Sequence, residues 1–218
     1  MKLCCISDTH GKHDQLDLSS HPADVLIHAG DFTARDTKTQ VIQFLEWFSV
    51  QDYKHLILIA GNHERLIEAD PVWFYQALSH FPSITYLQDS EVTIDDIKFY
   101  GSPYSNEFCN WAFMEEEIEL SKVWDKIPDD TNVLITHGPA YGCHDLVARA
   151  YGGDPHVGSQ SLHHRKLSLQ DSLRVHVSGH IHEAYGITRN GNGLHNVCPC
   201  TLNERYQVTN EPITLEIK

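Results

Sequence analysis

Five short apolar runs in this chain end in the same way. "LCCIS" runs into "DTH", "VLIHA" into "GD", "LILIA" into "GNH", "VLIT" into "HG" and "VHVS" into "GHIH". Each is short and continuously apolar, the pattern of a strand buried on both faces. Four of the five ends carry a glycine beside the polar residue, and glycine permits positive φ and close backbone approach in a tight strand-to-loop turn. In open α/β sheets, ligands gather outside the carboxyl ends of the strands. Five ends of this kind in one architecture therefore aim Asp, Asn and His side chains at one crevice.

Helical patterns lie between these strands. "TQVIQFLEWF" places Val41, Ile42, Leu45 and Phe48 near helical spacing. "DPVWFYQALSHF" begins with Asp70 as N-cap and Pro71 at the first helical position. "EVTIDDIKFYG" predicts a hairpin across Asp95-Asp96, and "MEEEIELSKVWDKI" a helix with its glutamates toward the N-terminus, where the helix dipole favours them. A second hairpin is expected around "NGNG", followed by a closing strand "ITLEI". No repeat, linker or charge run divides the 218 residues, so one domain over 1–218 is expected.

The residues at the strand ends are Asp8, His10, Asp31, Asn62, His63, His137, His180 and His182. Asp8/His10 and His180/His182 are i, i+2 pairs, which extended backbone would put on one side. Imidazole, carboxylate and amide oxygen without thiolate suit first-row transition metals such as manganese, iron, nickel or zinc; calcium would call for more oxygens. Seven ligands with one bridging carboxylate serve two metals, with positions left for water and substrate. Charge matters here. The chain carries a net −14 with histidine neutral, which disfavours non-specific nucleic-acid binding and docking on an anionic membrane. Two divalent ions, two aspartates and a bridging hydroxide would still leave roughly one positive charge to attract a phosphate.

These blocks resemble the calcineurin-like metallophosphoesterase superfamily, whose pattern is D-x-H, GD, GNH, H and GHxH. All five blocks occur in order from Asp8 to His182. "GDFTARD", "HGPAYGCHDLV" and "GHIHEAYG" are similar to its metallophosphoesterase-domain-containing branch, which is phosphodiesterase-like. The resemblance implies an α/β fold of two mixed β-sheets in a sandwich flanked by helices. It also implies roles: Asp8, His10 and His182 on one metal, Asn62, His137 and His180 on the other, Asp31 bridging, and His63 as the acid facing the leaving oxygen. The implied activity is hydrolysis of small phosphodiesters such as cyclic nucleotides by a bridging hydroxide, with manganese supporting turnover. The short chain leaves little room for a cap, so an open cleft is expected.

Other readings compete. A phosphomonoesterase or protein phosphatase shares "GNHE", but "GDFTARD" departs from the GD-x-V-D-R-G of protein phosphatases. A non-catalytic scaffold would be expected to have lost ligand positions, and none of the eight is missing here. Arg65, His144 and Asp145 lie near or between the blocks and are candidate substrate contacts, with surface placement the plainer reading for each, as for His13 and His163/His164. His28 and His176 are expected in the core or behind the site. Glu115 to Glu117 are expected on a solvated helix face, and Trp47, Trp73, Trp111 and Trp124 in packing. The six cysteines form no CxxC pair and no disulfide framework, which suggests buried thiols in a cytoplasmic protein. No apolar run reaches the ~20 residues of a membrane span, and the N-terminal run is too short for a signal peptide.

Overall fold

The computed structural model describes residues 1–147 and 155–217. In chain order the strands are β1 (Lys2–Ile6), β2 (Val25–Ala29), β3 (His55–Ile59), β4 (Ile84–Tyr86), β5 (Ser90–Ile94), β6 (Ile97–Ser102), β7 (Ser105–Asn106), β8 (Met114–Glu115), β9 (Val133–Thr136), β10 (Val175–Ser178), β11 (Gly186–Arg189), β12 (His195–Cys198) and β13 (Ile213–Glu216). The α-helices are α1 (Lys38–Ser49), α2 (Arg65–Ala69), α3 (Pro71–Leu78), α4 (Glu117–Trp124) and α5 (Gln160–Ser168).

One sheet has five strands in the order β13-β1-β2-β3-β4, and the other has six in the order β11-β12-β10-β9-β6-β5. Both are mixed. β1, β2, β3 and β4 run parallel, while β13 joins β1 antiparallel. In the second sheet β6, β9, β10 and β12 run parallel, and the antiparallel strands β5 and β11 close its edges.

Alternation along the strands builds the layers, because side chains of period two face opposite sides of a sheet. Leu3, Cys5, Val25, Ile27, Ile57 and Ile59 meet Phe99, Val133, Ile135, Val175, Val177 and Val197 in one core between the sheets. The alternate residues Cys4, Ile6, Leu26, Leu56 and Leu58 pack outward against Val41, Phe44, Leu45 and Phe48 of α1 and Phe74 of α3. On the far side, Tyr100 and Leu134 pack against Leu120, Val123 and Trp124 of α4 and Leu162 of α5. The result is the helix–sheet–sheet–helix sandwich expected from the sequence. Among the described residues no helix is long and apolar enough to cross a membrane.

Local chemistry explains the helix starts. Thr37 accepts the Gln40 N–H ahead of α1, and Asp70 accepts the Trp73 N–H ahead of α3, with Pro71 at its first position. The helix expected over "MEEEIELSKVWDKI" is shorter than its pattern. Met114–Glu115 pairs with Ser105–Asn106 as β8, and α4 begins at Glu117. Glu117 also leaves the solvated face foreseen for it. Its carboxylate accepts from the Ser161 N–H and hydroxyl, the Ser159 hydroxyl and the Asn106 amide, which ties α4 to the start of α5. Cys4, Cys5, Cys198 and Cys200 are buried free thiols, whereas Cys109 is exposed.

Candidate metal centre

All five polar blocks leave the carboxyl ends of parallel strands. Asp8 and His10 follow β1, Asp31 follows β2, Asn62 and His63 follow β3, His137 follows β9, and His180 and His182 follow β10. A parallel bridge between Ser7 and Cys200 and a hydrogen bond from the Gly179 N–H to the His137 carbonyl hold these ends together. The backbone there is not extended. Asp8, His10, Asp31 and His180 have φ of 52°, 41°, 56° and 72°, a region that costs a non-glycine residue on the order of 1–3 kcal/mol and persists where the surroundings enforce it. Asp8 and His10 therefore reach one group through a turn, whereas His180 and His182 enter different groups, against the shared side expected of that pair.

Two glycines are fixed by the side chains beside them. A Cβ on Gly61 would stand 2.4 Å from Asp31 Oδ1, and one on Gly179 would stand 2.5 Å from Asp8 Oδ2. Bare backbone is what lets the carboxylates enter.

Among the described residues three groups of metal-capable atoms result: Asp8, His10 and His182; His10, Asp31 and His63; Asp31, His137 and His180. Asp31 joins two of them. Its Oδ1 lies 3.3 Å from His137 Nε2, and its Oδ2 lies 3.8 Å from His10 Nε2 and 3.9 Å from His63 Nε2. His182 Nε2 is 3.5 Å from Asp8 Oδ1 and 3.2 Å from His10 Nε2, and Asn62 Oδ1 is 2.9 Å from His137 Nε2.

The tautomers test whether these donors fit a metal. His137 Nδ1 donates to the Ala29 carbonyl at 3.0 Å, and His182 Nδ1 to the Asn203 carbonyl at 3.0 Å. Such bonds leave each Nε2 with its lone pair turned inward. For His137 that lone pair meets two oxygens, from Asn62 and Asp31, an arrangement that needs a cation between the atoms. Without a metal the cation is a proton. Burial opposes charge on His137, yet Asp31 beside it raises its pKa to about 10. Burial likewise opposes charge on His182, and its Asp8 contact raises it to about 9. Burial lowers His10 and His180 to about 4. The donors fit a metal centre.

Other residues support the cluster. Glu64 is fully buried and accepts from the N–H groups of Asp31, Gly61 and Thr33 at 2.8–2.9 Å, fixing the turn that carries Asp31. Cys200 donates its thiol to Asp8 Oδ2. His63 N–H donates to Asp31 Oδ1 at 2.8 Å, and its ring stands edge to face between His10 and Trp111, each centroid 4.4 Å away. Of these, Glu64 was readable only as the last letter of "GNHE", and Trp111 had no signal beyond being aromatic.

A cavity of about 220 Å³ opens above the cluster. His10, Asp31, Asn62, His63, His180 and His182 form its floor, and Phe108, Trp111 and Tyr206 its rim. Asp8 and His137 lie fully buried beneath. Arg65, His144 and Asp145 are not brought to this wall. Arg65 is exposed at the start of α2. His144 Nδ1 donates to the Ala184 carbonyl at 2.8 Å and its Nε2 meets Thr188 Oγ1, so it tethers β11. Asp145 is 1% exposed and spends its carboxylate on the Gly142 and Gly158 N–H groups and on His156. His28 and His176 are fully buried, as expected.

A two-sheet sandwich with Asp, Asn and His side chains converging at its parallel strand ends is the architecture of a metallophosphoesterase, a metal-dependent hydrolase. Residues 1–184 match the sequence model described as Calcineurin-like phosphoesterase, and the chain belongs to that family. It is 35% identical over 238 residues to Metallophosphoesterase domain-containing protein 1 of Homo sapiens, covering 99% of this chain and 71% of that protein. It is also 35% identical over 231 residues to UPF0046 protein K07C11.7 of Caenorhabditis elegans, covering 100% of this chain and 75% of that one. Among solved structures, TT1561 of Thermus thermophilus superposes with a TM-score of 0.64 at 13% identity, over 91% of this chain and 88% of that chain, a likeness of fold.

Proposed function

We propose that this chain is a phosphodiesterase acting on small phosphodiesters, cyclic nucleotides among them, with two metal ions such as manganese. Asp8, His10 and His182 would hold one ion, Asn62, His137 and His180 the other, and Asp31 both. The observation that carries this reading is the Asp31 carboxylate, whose two oxygens face different histidines, His137 on one side and His10 on the other.

Bound metals supply an activated water for in-line attack and stabilise charge on the non-bridging oxygens of the phosphate. The chain's own residues do the rest. His137 and His182 are fixed as Nε2 donors by the Ala29 and Asn203 carbonyls. His63 is the general acid: its side chain is 18% exposed against 3% for His10 and 10% for His182, so it is the more open of these to a substrate. Burial lowers its pKa and Asp31 opposes that; the negative charge of a bound phosphate adds to the opposition and helps it hold the proton for the leaving oxygen.

The test is manganese-dependent turnover of bis(p-nitrophenyl) phosphate beside p-nitrophenyl phosphate, with a chelated blank. Faster cleavage of the diester supports the reading. Preference for the monoester reassigns the chain as a phosphomonoesterase. Absence of chelator-sensitive turnover of either, in folded and metal-loaded protein, sinks the esterase assignment and leaves a metal-binding scaffold.

A further inference from the structure

Beside the cavity over the cluster lies a larger one of about 810 Å³, and the two share Phe108, His180 and Glu183. Ser105 and Asn106 of β7, Tyr141, Val157 and Gln160 at the start of α5 form much of its remaining wall. The volume is that of a site for a small organic ligand, well beyond what a phosphate alone requires. Its wall includes Tyr141, Asn106 and Gln160, whose side chains offer an aromatic ring and two amides, the Asn106 amide also donating to Glu117.

An acyclic phosphodiester has two separate substituents to place, whereas a cyclic nucleotide carries both ester oxygens on one. His63 lies on the wall of the smaller cavity and not among the residues of the larger, while His180 belongs to both. With His63 as the acid, the leaving oxygen sits on the small-cavity side. Because His180 lines both cavities, the other ester oxygen has a path past it into the larger one. We propose that the larger groove binds the substituent retained on phosphorus, and that it selects a planar, hydrogen-bonding group about the size of a nucleoside over a small aliphatic one. The assignment rests on the phosphodiesterase reading above. On an acyclic diester water adds to phosphorus, the bond to the leaving oxygen breaks, and the alcohol departs with the proton from His63. The retained substituent leaves the groove as its phosphomonoester.

Two diesters with one leaving group test this: thymidine 5′-(p-nitrophenyl phosphate) and methyl p-nitrophenyl phosphate, each with the manganese-loaded full chain. A kcat/KM ratio of about tenfold or more in favour of the nucleoside ester is expected, mostly through KM. Gln160→Ala, an exposed position, and Tyr141→Ala should each collapse that ratio to below about threefold. Equal kcat/KM for the two esters in the wild type overturns the groove assignment, as does a ratio that both variants leave intact. Absence of turnover for both esters and for bis(p-nitrophenyl) phosphate overturns the phosphodiesterase reading itself, and the groove assignment with it. Turnover of bis(p-nitrophenyl) phosphate without a nucleoside preference removes the groove assignment alone.

Discussion

The Cys200 thiol donates to Asp8 Oδ2 at 3.1 Å, both residues fully buried, across 192 positions of sequence. The thiol occupies the oxygen that Asp8 does not turn toward His182, whose Nε2 is 3.5 Å from Oδ1. Asp8 is thereby held with Oδ1, which also accepts the His180 N–H at 3.1 Å, turned toward the proposed metal. Removing a hydrogen bond of this kind behind a metal ligand commonly costs 10–100-fold in metal affinity. Cys200→Val should weaken manganese binding by about that factor, while Cys200→Ser, which keeps a donor, should bind more nearly as the wild type does. Titration of metal into the apoprotein decides it; equal affinities for the two variants would leave Cys200 with a packing role alone.

Gly61 offers a test of the carboxylate that joins the groups. A methyl there would stand 2.4 Å from Asp31 Oδ1 and 2.7 Å from His137 Cε1, so Asp31 must shift. A displacement near 1 Å at a catalytic group can cost about 10² in rate. Gly61→Ala should lose about that much activity and bind fewer than two metals, with the fold retained. Metal content by atomic emission beside far-UV circular dichroism separates this outcome from simple unfolding; full metal content would argue against Asp31 as the bridge.

The sandwich was legible because parallel strands buried on both faces are spelled as continuous apolar runs, and because each run ends in a polar block of the same kind. The eight side chains at those ends converge, although positive φ at Asp8, His10, Asp31 and His180 replaces extended backbone and the i, i+2 spacing does not put His180 and His182 in one group. Other features were not legible. α5 spells no amphipathic stripe, and among its residues only Leu162 and Lys166 are buried. Glu117 reads as one of three solvated glutamates until Ser159 and Ser161 arrive from a distant segment. Cys200 meets Asp8 only because the ends of two strands lie side by side. Such partners depend on tertiary register, which no local pattern encodes.

Lys166 makes a prediction about pH. It is 5% exposed, with Nζ 2.9 Å from His176 Nδ1 and 2.7 Å from Asn196 Oδ1. Burial lowers its pKa from 10.5 to about 8. Because the folded pKa lies below the unfolded one, burying the charged form penalises the fold at neutral pH. That penalty is relieved as pH rises from about 8 toward about 10.5, by up to about 1.4 kcal/mol per unit. Lys166→Met lacks the charge and should lack the rise. Urea unfolding at about pH 7 and about pH 9.5 should show the wild type gaining on the variant with pH; a constant difference would mean that Lys166 keeps its proton throughout.

Trp111 bears on the acid step. Its ring lies edge to face against His63 at 4.4 Å, with His10 on the other side at the same distance, so the imidazole is held in one orientation. If His63 protonates the leaving oxygen, His63→Ala should cost about 10²–10⁴ with an alkyl leaving group and much less with nitrophenolate, which needs no proton. Trp111→Ala should show the same dependence on leaving group at a smaller magnitude, on the order of tenfold, because it loosens the acid without removing it. The double variant should then be no slower than His63→Ala alone, since residues that act as a unit are not additive. Rates on diesters with nitrophenyl and alkyl leaving groups measure all three variants. A Trp111→Ala effect equal for both leaving groups would assign the indole to substrate contact and take it away from the acid.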